Sequence, residues 1–268
     1  MPAIQLPRLK IQAAKLAEQF ADPVVFCRGL HNLLDFYASR AYHPGQAGDP
    51  PPLMAAYHVP PPVLREVIKD LTPFALSAPE SAFALSDALW SELYLEFRLL
   101  AVSLLGLLSP HPPDPVILRV RTWAEPRTEA RLIRALINTG LTQIRREYPV
   151  RYLQLAEAWL TSPEQFSQKL GLQALVPLLD LQEFQDIPLI IKMLTPLVRT
   201  APFPLRPDLI DVIAGLAKRS PQETAYFLRQ NLAVKSENPV TAWLIRQSLH
   251  SFPVEIQTSL RTALHESK

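Results

Sequence analysis

Apolar residues along this chain recur at three- and four-residue intervals. Ile133, Leu136, Ile137, Gly140 and Ile144 form one stripe, Phe166, Leu170, Leu172 and Leu175 a second, and Val212, Ile213 and Leu216 a third. That spacing puts side chains on one face of a helix. Between the stripes, proline follows a capping residue. Ser162-Pro163-Glu164-Gln165 and Ser220-Pro221-Gln222-Glu223 each read as an N-cap serine, a proline at the first helical position and a capping-box residue. Ser77-Ala78-Pro79-Glu80, Asp22-Pro23 and Glu125-Pro126 mark further starts. Alternating strand patterns bounded by Asn-Gly or Asp-Gly are absent. The pattern predicts an all-α chain, with one continuous helix over residues 127–147 and others near 96–108 and 163–179.

These helices are short and come in pairs. Trp90, Trp123 and Trp159 each precede a new helix and lie 33 and 36 residues apart. A degenerate period of that size is typical of two-helix repeats such as HEAT. The expected architecture is an α-solenoid, a superhelix of HEAT-like helical hairpins, forming a single domain over 1–268. An irregular helical bundle is the alternative. Residues 43–62 break the pattern with Pro44, Gly45, Gly48, Pro50-Pro51-Pro52 and Pro60-Pro61-Pro62. They read as an exposed loop of polyproline character, a connector or else a mobile lid.

Composition narrows the chemistry. The chain has 268 residues, long enough for a large core, and only one cysteine, which excludes a disulfide scaffold or a multi-Cys zinc site. Cys27 sits in an apolar helix with Val24, Val25, Phe26 and Leu30 and reads as a buried, inert thiol. The six histidines form no ligand-spaced pair, and no Gly-rich phosphate loop or Gly-x-Ser-x-Gly elbow occurs, so no metal or cofactor is expected. Glu92 and Glu96, one turn apart, read as a cap or as partners of Arg98. The longest apolar run, residues 99–108, is half of what a bilayer span needs. Residues 1–20 lack the apolar stretch of a secretory signal, so a cytoplasmic location, a monomer and no membrane contact are expected.

The net charge of +2 is too mild to announce nucleic acid, but the charge is unevenly spread. Residues 119–169 hold nine basic residues against five glutamates, and all the basic ones except Lys169 are arginine. On a continuous helix Arg127, Arg131, Arg134, Asn138 and Arg145 would share one narrow stripe, away from the apolar one. A row of guanidinium groups suits bidentate phosphate contact; a solvated helix face partly paired with Glu129 is the bland alternative.

Four stretches carry a resemblance. They are Tyr57-His58-Val59-Pro60-Pro61-Pro62-Val63-Leu64-Arg65; Leu89-Trp90 with Glu96-Phe97-Arg98-Leu99-Leu100-Ala101; Trp159-Leu160-Thr161-Ser162 with Lys169 and Ala174-Leu175; and Leu216-Ala217-Lys218-Arg219-Ser220-Pro221 with Phe227-Leu228. In order and spacing they resemble the DNA alkylation repair family, the AlkD-like HEAT-repeat DNA glycosylases. The resemblance implies a superhelix whose basic concave face holds duplex DNA. It also implies release of N3- and N7-alkylated purines, with an Asp on a mid-chain helix and groove-lining tryptophans as the key parts. Here the chain departs from the family. Counting back from Pro149 puts Arg134 at the Asp position, Ala130 at a Trp position, and Asp211 near the second Trp. Trp123 is the available substitute ring and Glu129 the nearest carboxylate.

The sequence therefore points to duplex DNA as the partner, with Arg127, Arg131, Arg134, Lys169, Lys218 and Arg219 as phosphate contacts. No catalytic residue is assigned, because a cation at Arg134 opposes stabilisation of a cationic sugar. Two alternatives stay open: an active glycosylase using a displaced carboxylate, and a scaffold that takes a protein partner in its concave groove.

Overall fold

The computed structural model describes residues 5–38, 54–233 and 240–266. The chain divides into two compact units, Met1–Pro149 and Val150–Lys268. Both are all-α among the described residues. The Pro/Gly-rich stretch predicted over 43–62 lies outside the described residues as far as position 53.

In the first unit, α1 (Leu6–Ala17), α2 (Pro23–Tyr37), α3 (Pro61–Ser77), α4 (Pro79–Ser91), α5 (Leu95–Leu105), α6 (Asp114–Trp123), α7 (Ala130–Ala135) and α8 (Thr142–Glu147) follow in order. Helices α1, α3, α5 and α7 pack each on the next in one layer, and α2 lies against α4 in the other. The second unit holds α9 (Pro149–Leu160), α10 (Gln165–Leu179), α11 (Ile187–Thr200), α12 (Arg206–Arg219), α13 (Pro221–Ala233), α14 (Val240–Ser248) and α15 (Val254–Glu266). There α10, α12 and α14 form one layer, and α11, α13 and α15 the other. Within these layers each helix packs on the helix two places along, as stacked hairpins of a helical repeat do. Leu30, Leu71, Leu85, Phe97 and Leu104 fill the first core; Ile190, Val212, Leu216, Leu228 and Leu244 fill the second.

Proline sets most of the helix starts, since it forfeits no helical hydrogen bond there. Asp22 caps α2 by accepting from the backbone N–H groups of Val24 and Val25, both at 3.1 Å. Pro79 and Pro221 open α4 and α13 as expected. Two expected starts move. Helix α10 begins at Gln165 with Glu164 as its cap, and the Ser162 hydroxyl accepts from the Glu164 N–H instead of capping the helix. Glu125-Pro126 opens a turn, not a helix; the Thr128 hydroxyl donates to the Trp123 carbonyl at 2.9 Å and closes it.

The continuous helix expected over 127–147 is broken. Helix α7 starts at Ala130 and runs into a π turn, Leu136–Gly140, before α8. The Leu141 N–H donates to the Leu136 carbonyl, five residues back, at 3.1 Å. The bulge presses the Thr139 backbone onto Gly106 at the end of α5. A Cβ on Gly106 would collide with the Thr139 carbonyl oxygen and come within 2.9 Å of its carbon. Only glycine leaves room for this approach.

Gly106→Ala is expected to destabilise the protein by about 1–3 kcal/mol, because the colliding group is backbone and cannot swing aside. Urea unfolding of the variant beside the parent protein checks this.

Candidate nucleic-acid interface

The π turn decides which basic residues meet solvent. Arg127 lies in the turn before α7, and Arg131 and Arg134 lie on α7; all three are exposed. Among the described residues none of the three has an ion-pair or hydrogen-bond partner. Asn138 is also exposed, on the π turn. Arg145 leaves the predicted stripe. The additional residue in the π turn rotates the positions C-terminal to it, and Arg145 is only 9% exposed. Its terminal nitrogens face the Ile137 and Asn138 carbonyls at 3.5 Å, where the bulge leaves backbone acceptors. Arg119 is engaged too, gripping Asp87 with two hydrogen bonds of 2.8 and 2.7 Å and covering the Phe83 ring at 4.3 Å. Of the predicted stripe, the exposed basic part is therefore the short corner of Arg127, Arg131 and Arg134.

In the second unit the expected contacts have different fates. Lys218 is exposed near the end of α12. Lys169 on α10 reaches Asp208 at 3.9 Å, and Asp208 also accepts from Gln173 at 2.7 Å. Arg219 is occupied by structure: its guanidinium donates to the carbonyls of Leu181 at 2.9 Å and Phe184 at 2.6 Å. It closes the α10–α11 connection and is not free to meet a phosphate. Asp211, near which a second family tryptophan was expected, lies at the surface; partial burial and the nearby Asp208 push its carboxyl above the usual range.

The tryptophan expected to stand in for the missing family ring is covered. Trp123 is 7% exposed and stacks on Trp90, centroids 4.5 Å apart and planes within 5°. Arg98 lies over Trp90 at 5.1 Å, its Nε donating to the Glu92 carbonyl at 3.0 Å. Burial lowers the Arg98 pKa, partly opposed by Glu125. Glu129, the nearest carboxylate, precedes α7; its Oε2 is buried and has no hydrogen-bond partner among the described residues.

Sequence reasoning missed one polar centre. Glu96, 5% exposed, accepts from the backbone N–H groups of Tyr57 at 3.1 Å and His58 at 2.8 Å. His58 is thereby held at φ 54°, a left-handed conformation uncommon outside glycine. The Leu95 N–H donates to the Ala55 carbonyl at 2.9 Å, alongside the same clamp. Glu92 pairs with His31 at 3.3 Å rather than with Arg98, and the other His31 ring nitrogen shares a 2.7 Å hydrogen bond with the Tyr57 hydroxyl. Burial, with Tyr94 stacked alongside, pushes the Tyr57 phenol up to about 12; burial and Glu92 push the Cys27 thiol up to about 11. The available signal was the i, i+4 glutamate pair beside two of the resembling stretches. In the structure those stretches form a backbone clamp. Among the described residues no group of three or more His, Cys, Asp or Glu side chains could hold a metal, and no helix is long and apolar enough to cross a membrane.

Residues 51–252 match the sequence profile of the DNA alkylation repair enzyme family. The match covers most of the chain, and the chain belongs to that family. Its role accordingly lies with DNA repair. No curated protein matches it.

Glu96→Ala removes the acceptor that the part-buried Tyr57 and His58 N–H groups share and is expected to cost about 1–3 kcal/mol, read as a lower denaturant midpoint. Stability should also fall as pH rises above 9. Folding holds the Cys27 and Tyr57 protons more tightly than the unfolded chain does, so the native state binds more protons there. Cys27→Ser should remove the part that begins near pH 9, on the order of 2 kcal/mol by pH 11; unfolding midpoints between pH 7 and 11 test it.

Proposed function

We propose that this protein binds duplex DNA through Arg127, Arg131 and Arg134 on a HEAT-like scaffold, with Lys218 and Lys169 as further phosphate contacts. The observation that carries the reading is the corner of three exposed guanidinium groups without a carboxylate partner, in a chain of the alkylation repair family. Guanidinium groups bind phosphate bidentately and release condensed counterions. Arg219 has no part in the reading, since backbone carbonyls occupy it. A cytoplasmic setting belongs to the same proposal.

The proposal also holds that the family's base-excision chemistry is lost. Departure of an alkylated purine leaves positive charge on the sugar, which a carboxylate stabilises and the cation at Arg134 opposes. One observation favours a second reading. The unpartnered, buried Oε2 of Glu129 could accept charge in place of the missing Asp. Release of 7-methylguanine from alkylated duplex, abolished by Glu129→Gln, would establish that reading; no release supports the binding-only one.

Reversing charge with Arg131→Glu and Arg134→Glu together is expected to weaken duplex binding by more than tenfold. It should also reduce the slope of log affinity against log salt by about two. A fluorescence anisotropy titration from 50 to 200 mM salt measures both. An unchanged affinity, or binding insensitive to salt, rejects the proposal.

A further inference from the structure

A second feature faces solvent in the second unit, built around an aromatic ring. Phe203 is 72% exposed, the most exposed aromatic side chain among the described residues. It starts a short 3-10 turn, Phe203–Leu205, and is flanked by Pro202 and Pro204. The neighbours on each side are anchored: Ala201 is fully buried, Leu205 is 1% exposed, and the Leu205 N–H donates to the Pro202 carbonyl at 3.0 Å. Two fixed proline φ angles and two buried anchors leave the ring no retreat into the core.

Arg206, the first residue of α12, lies between two rings. Its guanidinium carbon is 5.7 Å from the Phe203 centroid and 5.3 Å from that of Trp243 on α14. Its Nε donates to the Ala201 carbonyl at 3.3 Å, which fixes the plane. Among the described residues no partner engages its terminal nitrogens. Asp208, two positions along, is held by Gln173 and Lys169 and does not neutralise it.

We propose that Phe203, Arg206 and Trp243 form a stacking site for an unpaired nucleobase of DNA. The base lies on the free face of Phe203, and the terminal nitrogens of Arg206 meet the adjoining phosphate. This rests on the DNA-binding reading above and adds what is recognised: a base already out of the stack. Within a perfect duplex both faces of every base are covered, so a single fixed ring has nothing to stack on. A bulged or single-stranded base offers a face without that cost. The Arg206 guanidinium lies over both rings, which makes the site cationic rather than the apolar aromatic groove a proline-rich peptide takes.

The test uses the full chain and three fluorescein-labelled probes: a perfect duplex, the same duplex with one bulged adenine, and a thymine oligonucleotide. The parent protein is expected to bind the bulged duplex about tenfold more tightly than the perfect one. Phe203→Ala should abolish that preference and leave perfect-duplex affinity unchanged, whereas Phe203→Tyr should keep it. Arg206→Lys, which retains charge but loses the plane, should lose most of it. Far-ultraviolet circular dichroism confirms that each variant is folded, as expected for an exposed ring. A preference that survives Phe203→Ala, or one absent from the parent protein, overturns the proposal. The perfect-duplex arm with Arg131→Glu and Arg134→Glu reports separately on the underlying reading. If duplex binding fails but bulge and thymine-oligonucleotide binding persist and depend on Phe203, only that reading falls.

Discussion

A backbone bulge of five residues, Leu136–Gly140, breaks the arginine stripe that a continuous helix would carry. The Leu141 N–H reaches back five residues, so one turn of the helix holds an additional residue. Side chains before it keep their α-helical register, while those after it are rotated. Arg131 and Arg134, before it, are exposed, and Arg145, after it, turns inward onto backbone carbonyls. The bulge needs somewhere to go, and Gly106 on α5 supplies the space. A packing contact between two backbones thus takes Arg145 out of the predicted stripe.

The Glu96 clamp is the second constraint. A buried carboxylate requires donors, and the Tyr57 and His58 N–H groups provide them from a segment without helical hydrogen bonds of its own. The arrangement joins the approach to α3 with the start of α5, and His31 adds α2 through Glu92 and Tyr57. Two of the stretches by which the chain resembles its family are therefore fastened to each other. Residues shared with a family by motif can thus serve to hold the scaffold, as the Glu96 clamp does here.

Charge is used in two ways across the molecule. Arg119, Arg145 and Arg219 each sit against fixed acceptors, a carboxylate or backbone carbonyls, and stabilise connections between helices. Arg127, Arg131 and Arg134 have no such acceptors among the described residues and remain available to an outside anion. A count of basic residues does not separate these groups, because the difference lies in what each side chain can reach.

The all-α class, the proline-marked helix starts at Asp22, Pro79 and Pro221, the buried thiol of Cys27 and the family were legible in the chain alone. Each depends on short-range patterns: apolar spacing, capping residues and ordered motifs. The π turn, the burial of Trp123 against Trp90, the capture of Arg219 by the α10–α11 connection and the Glu96 clamp were not. Each of these joins residues distant in sequence, and its geometry depends on how neighbouring helices fill space and satisfy buried polar groups. Local pattern determined where helices form; packing between them decided which side chains are left for a partner.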